Sequence, residues 1–166
     1  MKEPLAIAVL GAGNWGTTLC HLAASNGHKV RLWTRDHAQR DEINQQRTNT
    51  RFTPGLALAA GIQASCDMGE VVAGAELVFI VVPSQSFRDV ARSLGAAVTP
   101  EQLVIHCTKG LEARTHRRMS EILLEETCVR QLGVLSGPNI ASEVYRGKPA
   151  GTVIASRFPR LMARRR

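Results

Sequence analysis

Near the N-terminus, Gly11, Gly13 and Gly16 stand in a G-x-G-x-x-G spacing. The chemistry that needs this spacing is pyrophosphate binding. Gly11 allows a tight turn, Gly13 lets backbone approach the phosphates, and Gly16 lets a helix pack closely on a strand. A helix opening at that point offers free N–H groups and the positive end of its dipole to the anion. Two cations stand where the rest of such a ligand would lie. Arg35 follows the run Lys29–Trp33 and can stack on adenine or pair with a 2′-phosphate, while Asp36 beside it can cap the next helix. An acid at this place reads the ribose of NAD and an arginine accommodates NADP; with both present, use of either cofactor is expected. Lys109 follows the run Leu103–Cys107 and precedes Gly110. An ammonium there can donate to a substrate oxygen and stabilise negative charge developing on it; the plainer alternative is a solvated surface lysine. Farther on, Ser136-Gly137-Pro138-Asn139 offers amides for a polar substrate, with Asn139 placed as a helix N-cap and Glu143 near the first turn.

These residues need elements to hold them. Short aliphatic or β-branched runs alternate with amphipathic segments, the pattern of a parallel sheet covered by crossover helices. The strands are predicted at Leu5–Leu10, Lys29–Trp33, Ile62–Ser65, Leu77–Val82, Leu103–Cys107, Leu132–Leu135 and Thr152–Ala155. Helical periodicity covers Asn14–Ser25, His37–Arg47, Gln85–Leu94, Thr115–Glu126 and Ile140–Arg146. Gly27 sits where a glycine ends the first helix. The expected fold is α/β, a doubly wound, mostly parallel Rossmann-type sheet with helices on both faces. In such a sheet ligands bind outside the carboxyl ends of the strands, so Arg35, Lys109 and the loop after Val82 should share one edge. The segment Thr48–Gly61 fits neither period and reads as a long surface connection.

The chain has 166 residues and a formal net charge of +7. Five arginines lie in residues 157–166 without an acid, which leaves 7 − 5 = +2 for residues 1–156. The body is thus nearly balanced, and a nucleic-acid partner would rest on the tail alone. The two Trp, one Tyr and four Phe do not interleave with the basic residues as a single-strand platform requires. Cys20, Cys66, Cys107 and Cys128 lie far apart with no C-x-x-C pair, so no metal site is expected and the thiols read as reduced, in a cytoplasmic protein. The first apolar run is broken by glycines and neither targets nor spans a membrane.

GAGNWGT at 11–17, LWTR at 32–35, PG at 54–55, VPSQSFR at 82–88, TKGLE at 108–112 and SGPNIASEV at 136–144 occur in one order between about Ile7 and Ser156. The set resembles the N-terminal part of bacterial-type NAD(P)-dependent glycerol-3-phosphate dehydrogenases. The resemblance implies reversible hydride transfer between sn-glycerol 3-phosphate and dihydroxyacetone phosphate, which supplies glycerophospholipid backbones. It implies that Asn14, in a place where the family often has serine, contacts the dinucleotide together with Trp15, Arg35 and the glycine turn. Lys109 would serve both cofactor and substrate and be the catalytic residue of this half, with Gly137 and Asn139 toward substrate and Ala141 toward cofactor. It further implies a second, helical domain carrying another catalytic lysine. The sequence ends before that domain, and residues 157–166 depart from the pattern, so the expectation is a dinucleotide-binding domain over 1–156 with little turnover by itself. A non-catalytic dinucleotide module, or half of another hydroxyacid or ketopantoate-type reductase, stand as alternatives.

Overall fold

The aliphatic runs become the strands of one sheet. The computed structural model describes residues 3–158. Of the basic tail at 157–166, Arg157 and Phe158 fall within it and the remainder lies outside the described residues. Along the chain the elements are β1 (Ala6–Leu10), α1 (Asn14–Ser25), β2 (Lys29–Trp33), α2 (His37–Gln46), β3 (Ile62–Ser65), α3 (Met68–Val72) and β4 (Leu77–Ile80). They continue with α4 (Ser84–Gly95), β5 (Leu103–His106), α5 (Met119–Glu126), β6 (Gln131–Ser136), α6 (Ala141–Val144) and β7 (Val153–Ser156). The sheet order is β3-β2-β1-β4-β5-β6-β7. β1 and β5 near its centre are buried nearly throughout, while β2 and β3 alternate buried residues with more exposed ones and β7 at the edge is exposed or half-buried. The strands from β3 to β6 are parallel and β7 joins β6 antiparallel. The doubly wound, mostly parallel fold read from the sequence is therefore the observed one.

Alternation along β1 divides the core. Ala8 and Leu10 face the cluster built with α3, α4 and α5, where Val78, Ile80, Phe87 and Leu94 are fully buried. Ile7 and Val9 face the opposite cluster, with Cys20 of α1 and Ile43 of α2. Helix α4 turns Phe87, Val90, Ala91 and Leu94 inward, the i, i+3, i+4, i+7 stripe of a helix lying on a sheet. Helix α1 ends in a Schellman motif: Gly27 takes φ +83° while His28 N–H donates to Ala23 O and Gly27 N–H to Ala24 O. That turn delivers the chain to β2 in register with β1.

Several expected boundaries move, each for a local reason. Helix α5 begins at Met119 rather than Thr115, because His116 adopts a positive φ and Leu111 pairs with Arg118 in an isolated bridge. At five residues α3 is too short to show a period; Asp67 caps it by accepting from Glu70 N–H at 3.0 Å. The connection Thr48–Gly61 is not a plain surface loop, since Asn49, Thr53, Leu56 and Leu58 are buried. Phe158, read as part of an unpacked tail, rests against the cluster beneath α4.

Candidate functional site

The chain leaves β1 for β2 on one side and later enters β4 on the other, so the two strands part at their carboxyl ends and open a crevice. The glycine turn lines it. Gly11 has φ +118°, its N–H donates to Trp33 O at 3.1 Å, and a Cβ on it would strike the Val81 carbonyl. A Cβ on Gly16 would strike the Gly11 carbonyl, which makes Gly16 the contact between α1 and the turn. Gly13 differs from both, because a Cβ there would meet nothing within 4 Å. The space above Gly13 is open, at the N-cap of a helix that no side chain caps. This is the cradle a pyrophosphate needs.

Two grooves extend from the cradle. One, of about 560 Å³, runs over Gly11–Gly13 to Thr34, Arg35 and Asp36, with Arg51, Phe52 and Pro83 on its walls. The other, of about 450 Å³, runs from Gly13, Asn14 and Trp15 past Pro83 and Ser84 to Thr108 and Lys109. The structure thus brings Gly11, Gly13 and Arg35 together on one side and Gly13, Asn14, Trp15, Gly16 and Lys109 on the other. Among the described residues no cluster of three or more His, Cys, Asp or Glu is arranged to hold a metal.

The Lys109 loop is held from two directions. Lys109 Nζ donates to Ser136 Oγ at 2.6 Å, linking the end of β5 to the end of β6. Behind it, Arg88 of α4 grips both carboxylate oxygens of Glu112 at 2.6 and 2.8 Å and also reaches Glu126 at 2.6 Å. Hydrogen bonds from Arg88 and Thr115 hold the Glu112 carboxyl down at about 2. VPSQSFR and TKGLE are thus two halves of one brace. Burial lowers the His106 pKa to about 4, and the nearby Lys109 charge acts in the same direction. Burial also pushes the Cys107 thiol up to about 11, although Trp15 and Lys109 pull it the other way.

The Ser136–Asn139 turn departs from its expected role. Ile140, not Asn139, is the N-cap of α6, and no side chain caps that helix. Asn139 Nδ2 instead donates to Thr152 Oγ1 at 3.1 Å, across to the approach to β7, while its buried Oδ1 has no partner. A Cβ on Gly137 would strike the Gly151 carbonyl, so glycine is required where the two segments cross. Ala141 is buried in the first turn of α6 and lines neither groove described above. Asn139 lines a third cavity of about 360 Å³, shared with Trp15 and Lys148.

Residues the sequence reading passed over complete the adenosine side. Asn49 is fully buried and donates to Ala12 O at 3.0 Å and Thr17 Oγ1 at 2.7 Å. Gln39 Nε2 donates to the same Ala12 O at 2.7 Å and to Asn49 Oδ1 at 3.1 Å. These bonds fasten the Thr48–Gly61 segment and α2 onto the glycine turn. The only sequence signal was polar residues flanking PG in a stretch with no period.

Comparison with known proteins agrees with this geometry. A family model described as the NAD-dependent glycerol-3-phosphate dehydrogenase N-terminus matches residues 6–161, running past Ser156, where the motif resemblance stops. The chain is 42% identical over 155 residues to a glycerol-3-phosphate dehydrogenase [NAD(P)+] of Acinetobacter baumannii, covering 93% of this chain and 43% of that one. It is 43% identical over 155 residues to the enzyme of that name from Alcanivorax borkumensis, covering 93% and 45%. A crystal structure of glycerol-3-phosphate dehydrogenase from Coxiella burnetii superposes with a TM-score of 0.91 at 32% identity, over 97% of this chain and 49% of that one. The chain thus spans less than half the length of these relatives.

Proposed function

The chain belongs to the NAD-dependent glycerol-3-phosphate dehydrogenase N-terminus family, and on that premise we propose that it is the dinucleotide-binding part of an oxidoreductase acting between sn-glycerol 3-phosphate and dihydroxyacetone phosphate with NAD or NADP. The observation that carries this reading is the single groove lined by the glycine turn at one end and Lys109 at the other. The open space over Gly13 fits a pyrophosphate, and the uncapped start of α1 supplies the amides that would hold it. When bound, the nicotinamide supplies or accepts the hydride.

The chain's own residues position and polarise. In this reading Gly11, Gly13, Asn14, Trp15, Gly16, Arg35, Lys109 and Ala141 hold the dinucleotide, and Gly137 and Asn139 join Lys109 around the substrate. Ser136 accepts one Lys109 proton and fixes the ammonium at the strand end, leaving two donors for a carbonyl, hydroxyl or phosphate oxygen. Cys107 and Lys109 are the ionisable groups lining that groove, and the Cys107 thiol stays protonated at neutral pH. Lys109 is therefore the residue here suited to work on the substrate oxygen, and turnover by this chain alone is expected to fall far below that of its full-length relatives. We take residues 1–156 as the dinucleotide-binding domain, a small phosphorylated molecule as the substrate and glycerophospholipid precursors as the use of the product. The four free cysteines suit the reducing cytoplasm.

Gly13→Val tests the reading. Its φ of −75° and ψ of −175° suit a β-branched residue and the side chain has room, so the fold is kept while the pyrophosphate space is filled. Titration with NADH and NADPH, read by quenching of Trp15 and Trp33, is expected to show binding to the unmodified chain. Thermal unfolding of Gly13→Val should be unchanged while affinity falls at least about a hundredfold, or about 2.7 kcal/mol. Equal affinity in the variant, or no binding to the unmodified chain, overturns the reading.

A further inference from the structure

Lys109 stands on the turn after β5, past the last residue of the strand. Directly before it, Thr108 Oγ1 donates to Val82 O at 2.7 Å and joins the ends of β5 and β4 at the base of the groove. Shortly after it, Glu112 is gripped by Arg88 of α4. Lys109 thus lies between two anchors, and both fasten its turn to the stretch of chain that runs from the end of β4 into α4. The facing wall of the groove, Pro83, Ser84 and Gln85, belongs to that same stretch. A turn hinged at Thr108 and tied at Glu112 presents Lys109 to that wall in one direction, whereas a turn hinged at Thr108 alone is free to swing.

Glu112 is a firm anchor on the loop side. Its N–H donates to Arg117 O at 2.9 Å and its carbonyl accepts from His116 N–H at 2.8 Å, while Leu111 pairs with Arg118, so residues 111–118 form a small closed turn. Thr115 Oγ1 donates to Glu112 Oε2 as well. On the helix side Arg88 Nε and Nη2 donate to Glu112 Oε1 and Oε2, a fork that fixes the orientation of the carboxylate as well as its place. Arg88 Nη1 is left to bond Glu126 at 2.6 Å and Glu125 at 3.0 Å, on α5. Arg92 also reaches Glu126, at 3.2 Å, so α4 and α5 keep an ion pair without Arg88. What only Arg88 supplies is the fork on the turn that bears Lys109. It does so from outside, since it lines neither groove described above.

We propose that Arg88 is a positioning residue for Lys109: by forking Glu112 it fixes the direction in which the turn presents the ammonium to the groove. The inference rests on the dinucleotide reading above and adds to it a residue outside the groove on which the Lys109 contact depends. Arg88 acts through geometry, so charge alone does not replace it. A lysine at this place keeps an ion pair but cannot hold both carboxylate oxygens in a planar fork.

The test is NADH titration, read by tryptophan quenching, of the unmodified chain, Arg88→Gln, Arg88→Lys, Lys109→Met and the double variant Arg88→Gln with Lys109→Met, each also followed by thermal unfolding. The unmodified chain is expected to bind NADH. Lys109→Met and Arg88→Gln should each lose about tenfold in affinity, the scale of one charged hydrogen bond, and the double variant no more than Lys109→Met alone. Arg88→Lys should lose nearly as much as Arg88→Gln, although its retained charge keeps the melting temperature closer to that of the unmodified chain. Glu112→Gln, which breaks the same fork and leaves Arg88 bonded to α5, should reproduce the loss. A full further loss in the double variant means that Arg88 acts without Lys109 and overturns the inference. Unchanged affinity in Arg88→Gln, or full affinity in Arg88→Lys, overturns it too. All three outcomes leave the dinucleotide reading standing, whereas no binding to the unmodified chain overturns both.

Discussion

The two ends of the crevice are built by different means. At the adenosine end the glycine turn presents backbone, and it is locked by buried or half-buried side chains: Asn49 and Gln39 bond to the Ala12 carbonyl inside the turn itself. At the substrate end the surface is made of side chains on exposed loops, joined by bonds such as Lys109 to Ser136 and Asn139 to Thr152. Buried bonds resist exchange with water because an orphaned partner bears its full desolvation cost, whereas exposed ones break at little cost. The first end is therefore preorganised for a ligand of constant shape. The second is held only by exposed bonds, with the Arg88–Glu112 pair behind it.

The strongest way to break this contrast is to remove the lock. Asn49→Ala orphans the buried Thr17 hydroxyl and part of the Gln39 amide, and is expected to cost about 4 kcal/mol in denaturant unfolding, with loss of dinucleotide binding. A cost below about 1 kcal/mol would show that the adenosine end is no better locked than the other.

Acid probes the substrate end through His106, at the carboxyl end of β5. Its pKa is lowered to about 4 from an ordinary 6.5, so the unfolded chain binds the extra proton between these values. Stability contributed by neutral His106 is thus fully present above pH 6.5 and lost as pH falls toward 4, by about 3 kcal/mol in total. Unfolding free energies measured across this window should fall with acid in the unmodified chain, and the slope should flatten in His106→Phe. An unchanged slope in the variant would move the acid sensitivity elsewhere.

The smallest expected effect is at Lys109. Replacing it with Met removes an exposed bond to an exposed serine, so stability should change by less than about 0.5 kcal/mol. The same variant, placed in a full-length relative at the matching lysine, should lose most of its turnover, which a steady-state assay reads. Loss of stability comparable to that of Asn49→Ala would mean that the substrate end is locked after all.

Much of this was legible without coordinates where the signal was local. The runs Lys29–Trp33 and Ile62–Ser65 and the helix Asn14–Ser25 were readable to the residue, since alternating burial along a strand and a glycine stop after a helix leave a short-range imprint. That Lys109 and Arg35 lie along one crevice was legible because strand ends in this fold face one edge. Asn139 was misread as a cap, since an asparagine before a helical stretch fits either role and only Thr152, thirteen positions on (152 − 139 = 13), decided between them. Helix α5 was started too early because the turn at His116 depends on a pairing of Leu111 with Arg118 that no period announces. Asn49 was not seen at all, for its segment has no regular element and its partners Ala12 and Thr17 lie far back in the chain.

Composition, the alternation of apolar runs and the spacing of Gly11, Gly13 and Gly16 determine by themselves the sheet, its winding and the kind of ligand at its edge, because burial periodicity and glycine turns are written in neighbouring residues. The tertiary structure alone decided which distant groups meet: Asn49 with Ala12, Arg88 with Glu112, Lys109 with Ser136. Those encounters follow from how the crossovers stack on the sheet, a sum over many weak packing contacts that no single stretch of sequence contains.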